Sequence, residues 1–238
     1  MVSAFIICDG ISAQISFNSS IISSKKFDFS SVYDSTYGIV KYNNLIISIG
    51  GDSVRYDLNG KKVQGWIEDQ YTNGNTLHKG YYIDGKIRVF KNFYPQGQLE
   101  RMFKINDAKR SEMTIYYSNE KVKSMIEYFG ETITHEEDYF ESGTKEYEEN
   151  FDKSGLILWS KISYYPNGLT ESSLLVTDKR KKKYLQEEFF ESGKLKSSGE
   201  LKLNTVTYDF LKDGVWSYYN ESGAVEKTET FNKGELIQ

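Results

Sequence analysis

Phe189-Phe-Glu-Ser-Gly193 repeats Tyr139-Phe-Glu-Ser-Gly143 almost letter for letter, and Tyr164-Tyr-Pro-Asn-Gly168 stands between them. Working outward, the same phrase returns as Phe93-Tyr-Pro-Gln-Gly97 and Tyr116-Tyr-Ser-Asn-Glu120, the latter with glutamate in the glycine place. Tyr71-Thr-Asn-Gly74 has Gln70 where the others have a first aromatic, and Tyr218-Tyr-Asn-Glu-Ser-Gly223 carries one extra residue. The glycine positions are separated by 23, 23, 23, 25, 25 and 30 residues. Seven copies at so even a spacing are an internal repeat, and a repeat governs the fold before any single segment does.

A weaker signal lies midway between the copies: Tyr56-Asp-Leu-Asn-Gly60, Tyr81-Tyr-Ile-Asp-Gly85, Phe151-Asp-Lys-Ser-Gly155 and Phe231-Asn-Lys-Gly234. The structural unit is thus about 12 residues long. Aromatic and β-branched side chains suit a pleated, half-buried strand. Asn-Gly, Asp-Gly and Ser-Gly supply the positive φ of a tight reversal. Pro95 and Pro166 fall in the turns, where a missing N–H is harmless. The spacing predicts an all-β fold: an elongated antiparallel meander of tandem β-hairpins in a single-layer open sheet. Adjacent aromatics are expected to point to opposite faces. Residues 100–135 and 170–190 follow the pattern less well and are expected to hold insertions or irregular loops.

Composition agrees. Among 238 residues there are 19 Tyr, 14 Phe and 3 Trp but only four Ala, which favours strands over helices. The net charge of −4 argues against a nucleic-acid partner drawn by overall positive charge. A lone cysteine forms no intrachain disulfide, and His78 and His135 lie 57 residues apart, so no metal site of clustered Cys and His is expected. No apolar run approaches the length of a membrane-spanning helix. Residues 1–48 are Ser-rich with short apolar runs; they read as degenerate strands capping the sheet, with the repeats filling 49–238. A cytoplasmic location is expected. The alternative is a lipid-anchored surface protein with the anchor on Cys8, which requires a start upstream of Met1 and tolerates Ile7 where a small residue is usual.

The stretch Gly214-Val-Trp-Ser-Tyr-Tyr-Asn-Glu-Ser-Gly-Ala-Val-Glu226, continuing to Phe231-Asn-Lys-Gly234, resembles the variant MORN repeat. That repeat occurs in bacterial proteins often described as the antitoxin half of a toxin–antitoxin pair. The resemblance extends over about residues 50–238 and implies a non-catalytic scaffold whose partner is another protein, a toxin in the antitoxin case. Repeat scaffolds host many partners, so the fold is the firmer part of this implication.

Few residues offer chemistry. Gly80-Tyr-Tyr-Ile-Asp-Gly85-Lys86 has phosphate-loop spacing, but it lacks the following Ser or Thr and reads as a hairpin turn. Carboxylates are plentiful (Glu136-Glu137-Asp138, Glu146, Glu148-Glu149, Glu187-Glu188), yet no spacing singles out a catalytic pair, and neither histidine has a nucleophile beside it. No enzyme and no cofactor is expected. The run Lys179, Arg180, Lys181, Lys182 and Lys183 is a solvated loop or a contact for phosphate or an anionic membrane. Most rings should be core, Trp216 among them; a row of exposed rings would grip a protein partner or stack on glycan, with Tyr82, Tyr94, Tyr117, Tyr165 and Tyr219 as candidates.

Overall fold

A computed structural model describes residues 54–57, 59–71 and 73–237. Residues 1–48, Cys8 among them, and the first residues of the 49–238 segment lie outside the described residues. The strands are β1 (Gly65–Gln70), β2 (Thr76–Ile83), β3 (Lys86–Phe93), β4 (Leu99–Ile105), β5 (Arg110–Tyr116), β6 (Val122–Phe129), β7 (Thr132–Tyr139) and β8 (Lys145–Phe151). They continue with β9 (Leu158–Tyr164), β10 (Thr170–Asp178), β11 (Lys183–Phe189), β12 (Leu195–Leu203), β13 (Phe210–Tyr219), β14 (Val225–Asn232) and β15 (Glu235–Leu236). All 15 form one sheet in sequence order, each antiparallel to the next. The chain is the meander that the repeat predicts.

Sequential order puts successive reversals at opposite edges. The glycines of the strong signal form one edge, the A turns; the weak signal marks the other, the B turns. Each A turn is built alike. In the second, the Gly97 N–H donates to Tyr94 O and the Tyr94 N–H to Gln98 O, at 2.8 Å each, and Gly97 takes φ +100°. A register shift sits just before the first aromatic, between Asn92 and Phe93, Ile115 and Tyr116, Asp138 and Tyr139, and Glu188 and Phe189. This is a tight turn followed by a left-handed residue, the three-residue hairpin loop with its bulge. Glu120 holds the same place at φ +67° without being glycine. An L residue there costs about 1 kcal/mol, so Glu120→Gly is expected to raise stability by about that amount in urea melts.

The bonding also corrects the frame of the last copy. The Gly223 N–H donates to Asn220 O and the Asn220 N–H to Ala224 O. Tyr219 is therefore the first aromatic, Asn220 stands in the second aromatic's place, and no residue is extra.

Residues 100–135 and 170–190 are regular strands, contrary to the expectation of irregular loops. The β6–β7 turn has Gly130 at φ +63°, but the 107–110 and 178–183 turns lack a glycine, and there an aspartate does the work. Asp107 Oδ1 accepts the N–H groups of Lys109 and Arg110, and Asp178 Oδ1 those of Arg180 and Lys181, all at 2.9–3.0 Å. Asp side chains mimic a backbone turn in this way. At Asp84-Gly85 and Lys233-Gly234 both turn residues have positive φ, as a two-residue hairpin demands.

Alternation places the core. In β6, Ser124, Ile126 and Tyr128 are buried while Met125 and Glu127 face out. Register lines up one row across the sheet: Phe90, Phe103, Met113 and Ile126, directly opposite one another on β3 to β6. With Tyr128 they make the first apolar cluster. A second gathers Leu158, Leu174, Tyr184, Leu201 and Trp216. Between the clusters the row continues as Glu136, Glu149 and Lys161 before reaching Leu174. No residue of β7 or β8 is fully buried.

Candidate functional site: two turn edges and a charged middle

The A edge is closed on itself by its tyrosines. Where the second aromatic of a copy is tyrosine, its hydroxyl donates to the backbone carbonyl of the first aromatic of the next. Tyr71 reaches Phe93 O (2.7 Å), Tyr94 reaches Tyr116 O (2.8 Å), Tyr117 reaches Tyr139 O (2.7 Å) and Tyr165 reaches Phe189 O (2.7 Å). The polar turn residues add to this ladder. Asn73 and Asn75 donate to Pro95 O, Asn167 to Glu191 O, Lys121 to Ser142 O and Lys194 to Glu221 O. Phe140 and Phe190 have no hydroxyl and leave gaps. Tyr94→Phe is expected to cost about 1 kcal/mol, the net worth of one such bond, in chemical denaturation.

This accounts for several aromatics proposed from the sequence. Tyr94, Tyr117 and Tyr165 are half-buried and bonded to the next turn. Tyr219 is half-buried beside Asn220 in the last A turn. Tyr82 is corrected: it is buried, with His78 Nε2 2.9 Å from its hydroxyl and the Arg55 guanidinium over its ring, so it is core and offers no face to a partner. His78 itself is fully buried between Tyr82 and Asn92; burial lowers its pKa to about 4, keeping it neutral. Gly80 lies against that imidazole, where an added Cβ would sit 2.5 Å from Nε2. This packing occupies the segment with phosphate-loop spacing.

The B edge differs. Lys109 and Lys153, 44 positions apart in sequence, both cap the Phe129 ring, with Nζ 5.6 and 5.1 Å from its centroid. Arg110 is directly across from Phe129 in register. Two strands further on, Lys179 Nζ lies 3.5 Å from the Trp159 ring centroid. The run predicted from sequence is the neighbouring B turn, and its members part ways. Lys183 binds Glu200 and faces Asp213, and Lys181 lies 3.8 Å from Asp178. Lys179, Arg180 and Lys182, like Lys109 and Lys153, form no ion pair among the described residues. Trp66, at the far end of the sheet, is exposed and meets Tyr81 edge-on.

The middle of the sheet carries two glutamate pairs back to back. On one face, Glu137 and Glu148 stand opposite each other and Lys145 bridges them at 2.5 and 3.0 Å, with His135 Nε2 3.4 Å from Glu137. Burial works against the Lys145 ammonium, but its two carboxylate partners outweigh that and hold its pKa high. On the other face, Glu136 and Glu149 are opposed with no such bridge. Burial, then the charges of Asp138 and Glu149, raise the Glu136 carboxyl to about 7. Among the described residues no group of three His, Cys, Asp or Glu is arranged to hold a metal ion.

Comparison with known proteins adds one repeat match. Residues 212–233, one hairpin of β13 and β14, match the MORN repeat variant. No curated protein matches the sequence. Among solved structures, TarM aligns over 52% of this chain and 26% of its own, at 12% identity and a TM-score of 0.29. A complex of S. aureus TarM with fondaparinux, alpha-GlcNAc-glycerol and UDP aligns over 76% of this chain and 32% of its own, at 10% identity and 0.24. A protein of unknown function from Bacteroides fragilis aligns over 74% and 96%, at 13% and 0.16. This chain thus spans only about a quarter to a third of the length of TarM, and alignments at these TM-scores carry no argument about function. Residues 212–233 thus match one MORN repeat variant, and the turn bonding of that hairpin recurs along the sheet from Tyr71 to Ala224.

Proposed function

We propose that this protein is a non-catalytic scaffold that binds another protein along its repeat array, in the manner of an antitoxin or immunity protein. The observation that carries this reading is the A-edge ladder. Four tyrosines of the repeated turn signal, Tyr71, Tyr94, Tyr117 and Tyr165, bond the array to itself from copy to copy, which supports a rigid, periodic surface whose recurring groups are already engaged. Surfaces of this kind hold partners through the residues that vary between repeats. Native purification from the source organism, followed by reconstitution from the purified components, tests it. One stoichiometric protein that re-forms a 1:1 complex is expected, and relief of that protein's toxicity on co-expression would specify the antitoxin class. Absence of any stoichiometric protein partner would sink the proposal.

A second reading rests on the cations of the B edge that form no ion pair among the described residues, Lys179, Arg180 and Lys182. They could seat the scaffold on an anionic membrane. Sedimentation with vesicles that contain or lack anionic lipid separates the two readings, because equal pelleting in both removes the membrane.

A further inference from the structure

We infer that the B edge between the 107–110 and 178–183 turns is the docking strip for a short acidic segment, rich in Asp and Glu, of the protein partner. The inference deepens the protein-binding reading and rests on it. Three observations converge.

The first is charge without compensation. Lys109, Lys153, Lys179, Arg180 and Lys182 have no ion-pair partner among the described residues. The aspartates nearest them are engaged. Asp107, Asp152 and Asp178 each accept backbone N–H groups of their own turns, which fixes the loops that carry the cations. At the A edge, by contrast, Lys121 and Lys194 are held on carbonyl oxygens of the next turn. Those two A-edge lysines are thus used internally, whereas these five B-edge cations are not, although Arg110, Lys181 and Lys183 of the same turns face carboxylates.

The second is the aromatic footing. Lys109 and Lys153 rest on Phe129, and Lys179 rests on Trp159, whose surface is still 37% exposed. A lysine held over a ring loses less freedom on meeting a carboxylate than one waving in solvent.

The third is extent. From the 107–110 turn to the 178–182 turn is six strand spacings, about 29 Å. An extended peptide of about nine residues covers that distance. A broad anionic body fits less well. The chain is net negative, and the sheet behind this strip carries the exposed or half-exposed carboxylates of Glu127, Glu136, Glu146 and Glu149, which repel a membrane or a long nucleic acid but not a narrow strand lying along the turns.

The test uses the full chain and a fluorescein-labelled peptide of about nine residues, mostly Glu, read by anisotropy across a salt series. Binding is expected to be saturable, to weaken steeply with salt, and to fall roughly tenfold in the combined variant Lys109→Gln, Lys153→Gln, Lys179→Gln, Arg180→Gln. Lys91→Gln with Lys196→Gln, which removes two exposed cations from elsewhere, should leave it unchanged, and circular dichroism should report the same fold in all. Peptide binding that ignores the combined variant, or no more binding than a neutral peptide of equal length, overturns the inference. So does tighter, charge-dependent binding of an oligonucleotide or of anionic vesicles. The stoichiometric protein partner is titrated against the same variant. A partner that still binds it with unchanged affinity overturns the docking strip and leaves the scaffold reading intact, whereas failure to recover any partner overturns the scaffold reading itself.

Discussion

Gly199→Ala is expected to lower stability by about 3 kcal/mol, the upper end of overpacking costs, and the melting temperature by about 6–12 °C. Gly199 is not one of the turn glycines. It lies inside β12 at a register shift opposite β13, and the indole of Trp216 lies flat against it. A Cβ built there would fall 2.3–2.5 Å from Cδ2, Cε2 and Cγ of that ring. The indole has no room to retreat, because it is buried and its Nε1–H donates to Glu200 O at 3.1 Å. Trp216 is also the tryptophan of Gly214-Val-Trp216 within the matched repeat, and it closes the second apolar cluster with Tyr184 and Leu201. Trp216→Leu should itself cost about 3 kcal/mol through the cavity it leaves. In that background Gly199→Ala should cost far less than alone, since the clash is gone and the two changes couple. Thermal melts followed by circular dichroism on the four corners of this cycle give the result; an additive cycle would show that the ring does not pack on the glycine.

The second large effect is one of pH. Glu136 lies in the row that is otherwise Phe90, Phe103, Met113 and Ile126, opposite Glu149 and beside Asp138. Tyr147 on β8, Ser124 and Tyr128 on β6 and the adjacent His135, which opposes the rise, are also near it, with Lys161 opposite Glu149 on β9. Its carboxyl titrates at about 7 in the folded chain against an ordinary 4.5. The folded state therefore binds the extra proton between those values, and stability falls as pH rises through that window. Below about pH 4.5 the group contributes no difference; above about pH 7 the penalty is complete. A shift of this size corresponds to about 3 kcal/mol, reduced to about 1–2 kcal/mol because the side chain is only half-buried. Glu136→Gln should thus be more stable than the parent by about 1–2 kcal/mol at pH 8, equal to it near pH 4, and flatter in between. The Glu137–Glu148 pair on the reverse face, already bridged by Lys145, should show no such gain on Glu137→Gln, which instead removes a partner of Lys145. Urea melts at several pH values decide both.

These effects follow the line between what the residues display in one dimension and what register creates. The A turns were legible because all but one, where Glu120 stands instead, carry their own glycine at the left-handed position. Positive φ is a local demand, and a local demand leaves a local mark. Where Asp107 and Asp178 meet that demand with a side chain, the mark is a single aspartate, and the strands around it look irregular on paper although they are straight in the sheet. The frame of the last copy was hidden for a similar reason. Tyr218-Tyr219-Asn220 reads as a displaced aromatic pair until the hydrogen bonds show which residue opens the turn.

The charged features were visible as composition but not as constellations. The acidic runs of β7 and β8 are plain to read, yet which glutamate faces which depends on the register shifts beside Tyr139 and Phe151. The 179–183 run stood out because it is contiguous. Its companions are the short pair Lys109-Arg110 and the distant Lys153, and only the folding of every second turn to one edge brings them to the same strip around Phe129. The tyrosines went the other way. Their periodicity suggested a surface for a partner, and their hydroxyls turn out to be bonded to the next rung.

Hydrogen–deuterium exchange of the full chain, alone and with the protein that co-purifies with it, tests most directly the claim that one edge is structural and the other receives the partner. Added protection confined to the B turns at 107–110, 130–131, 152–157 and 178–182, with the A turns unchanged, is the predicted result. Protection centred on the A turns, or spread evenly over both edges, would contradict it.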